Sequence, residues 1–452
     1  MIPSTETIAA IRFGYGFRPG QTLPRDAEGL IASLTGGAAF APDLGGPTLA
    51  ERGAIFLRSH IRRKEKRPRE EIREANQAIG SMFKADTARR VVTAVRSPHG
   101  FFERLAWFWG DHFAVAGRSF QQRSLVGRFE ADAIRPHLTG SFRDMLRATT
   151  MHPAMLLFLN QNTSMGPNSV PGVNRNRGLN ENLAREIIEL HTLGVGAGYS
   201  QTDVRQFAEL LTGLGFDRRL AQTQFVPRRA EPGPETVLGV TYGSHGRAEL
   251  ADIESALDAL AAHPATARHI ARKLATHFVS DAPSEDLINH VEAAFRRHDG
   301  ALIPVYTALL EHPDAWSSFG QKVKQPFDFV VSSIRATDPT PDEIAIYLDP
   351  THRPLRVRRP LVRMNQIVYV PPGPQGWPEE AEAWITPQGL SERIDWASRL
   401  GRKVAARTDP RDFLRTALAD HMSDETEFAA TRAAERWEGI ALVLASPEFN
   451  RR

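Results

Sequence analysis

Apolar residues recur three and four positions apart in one segment after another of this chain, from residue 87 to residue 444. A segment with that period can bury one face only as a helix, so most of the chain must pack helix on helix. The spacing predicts helices over 87–95, 101–113, 142–149, 153–159, 181–193 and 202–212. It predicts further helices over 251–261, 264–278, 284–297, 303–310, 326–336, 390–402, 410–422 and 430–444. Pro98, Pro153, Pro264, Pro283 and Pro326 suit a first helical turn, where a missing N–H leaves nothing unpaired. His152, His263 and His312 each precede a proline and read as helix-start residues rather than ligands.

Two stretches break the period. Residues 222–229 and 236–242 are expected to pair as strands around a Pro/Gly-rich turn. Residues 367–370 read as a short apolar strand leading into the loop PPGPQGWP. The expected fold is mainly α: a large multi-helix orthogonal bundle with a short β-hairpin-like insertion at 222–243. Long Pro/Gly loops at 36–46 and 163–178 and a Pro-rich loop region at 339–390 complete it. No flexible linker divides the chain, so residues 1–452 are expected to form a single mainly helical domain.

Composition narrows the function. With 41% apolar and 24% charged residues the chain has ample material for a core. It has no cysteine, which excludes thiolate catalysis, disulfides and cysteine-held zinc or iron–sulfur centres. No apolar stretch is long enough to span a membrane, and no secretory signal is visible, so a cytoplasmic protein is expected. A missing leader would instead make it periplasmic or secreted. The pI is 9.2, but the net charge is only +3. Only seven residues are lysine, and the basic excess is mostly arginine, which suits buried pairing with carboxylates. The basic run 58–73 is interrupted by Glu65, Glu70 and Glu71 and reads as a salt-bridged helix face, so no nucleic-acid partner is expected. Phosphate-loop, dinucleotide, nucleophile-elbow and His-Glu-x-x-His motifs are absent, and no cofactor is indicated.

Two segments hold the candidate site residues. In 181–193, Asn180 is placed to cap the helix and Gly194 to end it. At 100° per residue, Asn182, Arg185, Glu186 and Glu189 share one face, and His191 points to the other. Glu186 and Glu189 are candidates for acid, base or ligand, with Arg185 and Asn182 binding a polar substrate. The competing expectation is a salt-bridged stripe, since Arg185 lies four residues from both Glu181 and Glu189. In 103–113, His112 falls on an apolar, aromatic face, where it is either a core histidine or a base with a depressed pKa.

The string GLNENLAREIIELHTLGVGAGYSQTDVRQFAELLTG resembles the signature of the bacterial "domain of unknown function 1800" family. FWGDHF at 108–113, HPAMLLFL at 152–159, SMGPNS at 164–169 and PPGPQGWP at 371–378 match it in order. The resemblance implies a large helical bacterial protein, often exported. It also implies a gene neighbour, and hence a partner, that looks like an alkaline phosphatase or sulfatase. Relatives often read FWHNHF where this chain has Gly110 and Asp111, so a histidine is missing and Asp111 is the candidate oxygen donor in its place.

Together these readings frame two expectations. One is a hydrolase or metal-assisted enzyme acting on a polar substrate such as a saccharide, with Glu186, Glu189, His112 and His191 as catalytic candidates. Asn182, Arg185 and Asp111 would then bind the substrate. The other is a non-catalytic binding or assembly protein working with the phosphatase-like partner.

Overall fold

The computed structural model describes residues 3–39, 46–64, 68–175, 178–218, 220–349 and 357–452. The fold is mainly α. Residues 65–67 and the side chains of 59–64 in the basic run, and residues 40–45 of the first long loop, lie outside the described residues.

Helix starts follow the expected chemistry. Pro153, Pro264 and Pro326 open the helices Pro153–Phe158, Pro264–Phe278 and Pro326–Ala336. Pro98 and Pro283 instead stand just outside their helices, before the caps His99 and Ser284. The three His-Pro histidines have a precise task. Each turns Nδ1 back to accept the N–H two residues on: Ala154 at 3.1 Å, Ala265 at 3.2 Å and Asp314 at 3.2 Å. An imidazole here does what an aspartate or asparagine does at an N-cap.

The buried apolar side chains form two clusters. The first draws on helices between residues 9 and 315, including Leu105, Trp109, Phe142, Ile188 and Leu274. The second is built by Pro326–Ala336, Pro387–Val404, Pro410–Leu418 and Arg436–Ala445. The helices Arg69–Arg96 and Gly100–His112 stand between them and feed both. Phe83 and Phe108 enter the first, and Val91 and Trp107 enter the second.

The β content differs in pairing from expectation. Residues 222–229 and 236–242 do not pair with each other. Gln222–Phe225 pairs with Leu214–Asp217, and Glu235–Val237 pairs with Val240–Tyr242. The reason is the turn. Leu238 and Gly239 both take positive φ (51° and 78°), the two-residue geometry that closes a hairpin on itself. The expected strand at 367–370 is a tight turn, because Tyr369 is left-handed (φ 63°) and the Val370 N–H returns to the Ile367 carbonyl at 2.8 Å. The 339–390 region is less loop-like than its prolines suggest, for it contains the helices Pro341–Leu348 and Arg358–Arg363.

The histidine caps can be checked by thermal unfolding. His263→Leu is expected to lose about 1 kcal/mol, while His263→Asn, which keeps an acceptor, loses little.

Candidate functional site

The helix of the 181–193 segment runs Asn182–Glu186 and then widens into a single π turn, Ile187–His191. The Asn180 side chain accepts the Asn182 N–H at 2.9 Å, and Gly194 (φ 91°) follows the end. On the outer face, Arg185 bridges Glu181 and Glu189, both at 3.2 Å. It also donates to Gln201 at 3.0 Å. Asn182 is exposed and Glu186 half-buried, its carboxyl raised by burial and by Glu189. This is the geometry of the salt-bridged stripe.

His191 points inward, where the structure groups it with His112 and His269. The ring centroids of His191 and His269 lie 6.2 and 6.1 Å from that of His112. Their donors have a local use. His112 Nε2 meets the His191 carbonyl at 3.1 Å, and His269 Nε2 meets the Leu190 carbonyl at 3.0 Å. Both imidazoles thus satisfy carbonyls left open at the helix end. Burial and the Lys273 charge push His191 down to about 3 and His269 to about 4, so these rings are neutral near pH 7. No hydrogen bond or ion pair joins the Glu186 and Glu189 face to the imidazoles among the described residues. Nor do three His, Asp or Glu side chains gather there so as to hold a metal ion.

Asp111 proves more informative than the glutamates. It lies in the last turn of the helix Gly100–His112 and borders a cavity of ≈ 50 Å³. The walls are Trp107, Phe129, Tyr369 and Trp377, with Val115 and Val126 behind, and Glu130 is the second carboxyl. The loop 371–377 closes one side. It is tied down by Gly117 N–H to the Tyr369 carbonyl (2.7 Å) and by Arg118 to the Pro371 carbonyl (3.3 Å). The Trp377 N–H then donates to both Asp111 oxygens, at 2.9 and 3.1 Å. Asp111 has no ion-pair partner among the described residues. Burial lifts its carboxyl to about 7, against the opposing pull of Lys273 and the Trp377 N–H. A carboxyl poised near neutrality beside a cavity is what general acid or base chemistry needs.

Family-model matching covers residues 8–451 and returns a protein family of unknown function, DUF1800. The chain belongs to the DUF1800 family. No curated protein and no solved structure gives a significant match. Within this DUF1800 chain the site extends to residues that sequence reasoning passed over. His269, Lys273 and His277 recur every four residues along Pro264–Phe278, so they share a side of that helix. His277 bridges Arg104 (3.2 Å) and Glu379 (2.5 Å), and Lys322 closes on Glu379 at 3.0 Å. The four-residue spacing was a readable signal. The Trp377 contact was not, because it joins positions 266 residues apart.

Two glycines beside Asp111 behave oppositely. A Cβ on Gly110 would meet nothing within 4 Å, whereas one on Gly376 (φ 83°) would sit 2.6 Å from the Asp111 carbonyl oxygen. Gly110→Ala is therefore expected to stabilise by about 0.5–1 kcal/mol through helix propensity. Gly376→Ala is expected to cost about 1–3 kcal/mol through strain and clash. Denaturant midpoints of the two variants check both signs.

Proposed function

We propose that this DUF1800 protein is an acid–base enzyme of the hydrolytic class, with Asp111 as the group that gives or takes the proton. The observation that supports it is the Asp111 carboxyl, held by one backbone N–H at the rim of an aromatic-walled cavity and raised to about 7. His112, the next residue, is neutral and stands with neutral His191 and His269, and Lys273 supplies the opposing charge that acts on Asp111. The cavity takes the reacting end of a substrate rather than a whole sugar ring. Its ≈ 50 Å³ is about a third of the roughly 150 Å³ that houses benzene. A saccharide would thus present one substituent here and keep its ring outside. The stripe Glu181–Arg185–Glu189 supports the second reading, a binding or assembly protein with a phosphatase- or sulfatase-like partner, because it offers an ordered charged surface. Among the described residues no helix is long and apolar enough to cross a membrane. A cytoplasmic location is part of the proposal.

The folded protein favours the neutral Asp111 carboxyl. Its stabilising contribution is complete below the unfolded-state value of about 4 and is lost as pH rises through about 7. Asp111→Asn removes that titration. Relative to the variant, the wild-type protein is expected to lose about 1–3 kcal/mol of stability between pH 4 and pH 8, the residue's partial exposure trimming the full effect. In a panel of ester, amide and glycoside substrates, Asp111→Asn is expected to lose about 100-fold or more in rate. Turnover by the wild-type protein that survives intact in Asp111→Asn would sink the acid–base role. So would a ¹³C NMR titration placing Asp111 in the ordinary carboxylate range.

A further inference from the structure

We infer that the cavity beneath the 371–377 loop is a binding site for a compact organic cation, a protonated methylamine-type head group. The site is the one proposed above, but binding does not depend on the chemistry assigned to it. Four aromatic side chains, Trp107, Phe129, Tyr369 and Trp377, and two carboxyls, Asp111 and Glu130, line it, and no lysine or arginine is among its lining residues. Aromatic rings present negative faces, and rings combined with a carboxylate form the cage that recognises ammonium groups.

The surrounding charges sharpen the assignment. Glu130 is already neutralised, by Arg90 at 2.6 Å and Arg135 at 2.8 Å. Arg90 lies 5.6 Å from the Trp107 ring, but it is fully buried and committed to Glu130 and Glu103. Lys273 and Glu379 act on Asp111 with opposite signs, and neither forms an ion pair or hydrogen bond with it. Asp111 is therefore the lining carboxylate without an ion pair among the described residues, and a cation arriving there supplies a counter-charge in direct contact, which Lys273 does not. Size sets the upper bound. A space of ≈ 50 Å³, about a third of the roughly 150 Å³ that houses benzene, suits a methylammonium group better than the bulkier tetramethylammonium ion. Gly110 keeps it open, since a side chain at that position would grow into free space at the lining.

The test is ¹⁹F NMR of full-length protein carrying fluorotryptophan, titrated at about pH 8 so that Asp111 is ionised and the amine protonated. The probes are methylammonium chloride, its neutral counterpart methanol, tetramethylammonium chloride, and potassium chloride as salt control. Methylammonium is expected to shift the Trp107 and Trp377 resonances saturably, with Kd of about 1–10 mM. The other three probes are expected to give no saturable shift. Asp111→Asn should weaken methylammonium about tenfold or more, and Gly110→Leu should abolish its binding. No saturation by methylammonium, an equal response to methanol, or unchanged affinity in Asp111→Asn overturns the site. The wild-type and Asp111→Asn measurements decide the matter even if Gly110→Leu does not fold. Amine binding with Asp111 titrating in the ordinary carboxylate range supports the cation site and removes the acid–base role. Titration near 7 without amine binding does the reverse.

Discussion

The site depends on a set of buried arginine–carboxylate pairs placed where the two apolar cores meet. Arg90 and Arg135 both reach Glu103 and Glu130, while Arg52 and Arg89 converge on Asp86. Arg104 and Arg452 share Asp328. Taking a charge out of water costs several kcal/mol per ion, and only close, well-directed pairing offsets it. Such pairs tolerate little displacement. They therefore hold the helices Arg69–Arg96 and Gly100–His112 in one register between the cores, and those helices carry Trp107, Gly110 and Asp111. The arginine bias of the composition has its physical use here, because a planar fork can serve two carboxylates at once.

The cavity follows from that arrangement. Phe129, Val115 and Val126 belong to the first core, Trp107 to the second, and Tyr369 packs against both. The cavity lies where residues of both cores and the ion-paired Glu130 meet. The strap at 371–377 covers the remaining gap. Left-handed Tyr369 just before it and Gly376 within it let the backbone turn inward far enough for the Trp377 N–H to reach Asp111.

Much of the helical architecture was legible because a 3.6-residue period is local information, as are the proline and serine signals at helix starts. Ser200 and Asp203, three residues apart, form such a signal, a capping box with both reciprocal bonds. The site was less legible. Four-residue spacing of Glu181, Arg185 and Glu189 is the same on a solvated face and in a pocket, and only packing by distant segments distinguishes them. Asp111 was named only as a ligand or substrate contact. Its raised carboxyl comes from burial beneath a loop far along the chain, which no periodicity encodes. His269, Lys273 and His277 could have been noticed, since they recur at strict four-residue intervals along one helix.

The π turns explain why the polar groups sit where they do. A π turn adds one residue to a helical turn, so it rotates the following side chains and loosens the carbonyl pattern. One such turn, Ala9–Phe13, carries fully buried Arg12, which donates to the Ala315 carbonyl at 2.7 Å. Another, Glu130–Ile134, starts at the carboxylate that faces both the cavity and Arg90. The third, Ile187–His191, ends its helix with His191 on the inward face, and His112 and His269 take up the carbonyls of that end. The carbonyls at the end of that helix, rather than the glutamates on its outer face, tie the 181–193 segment to His112, the residue after Asp111.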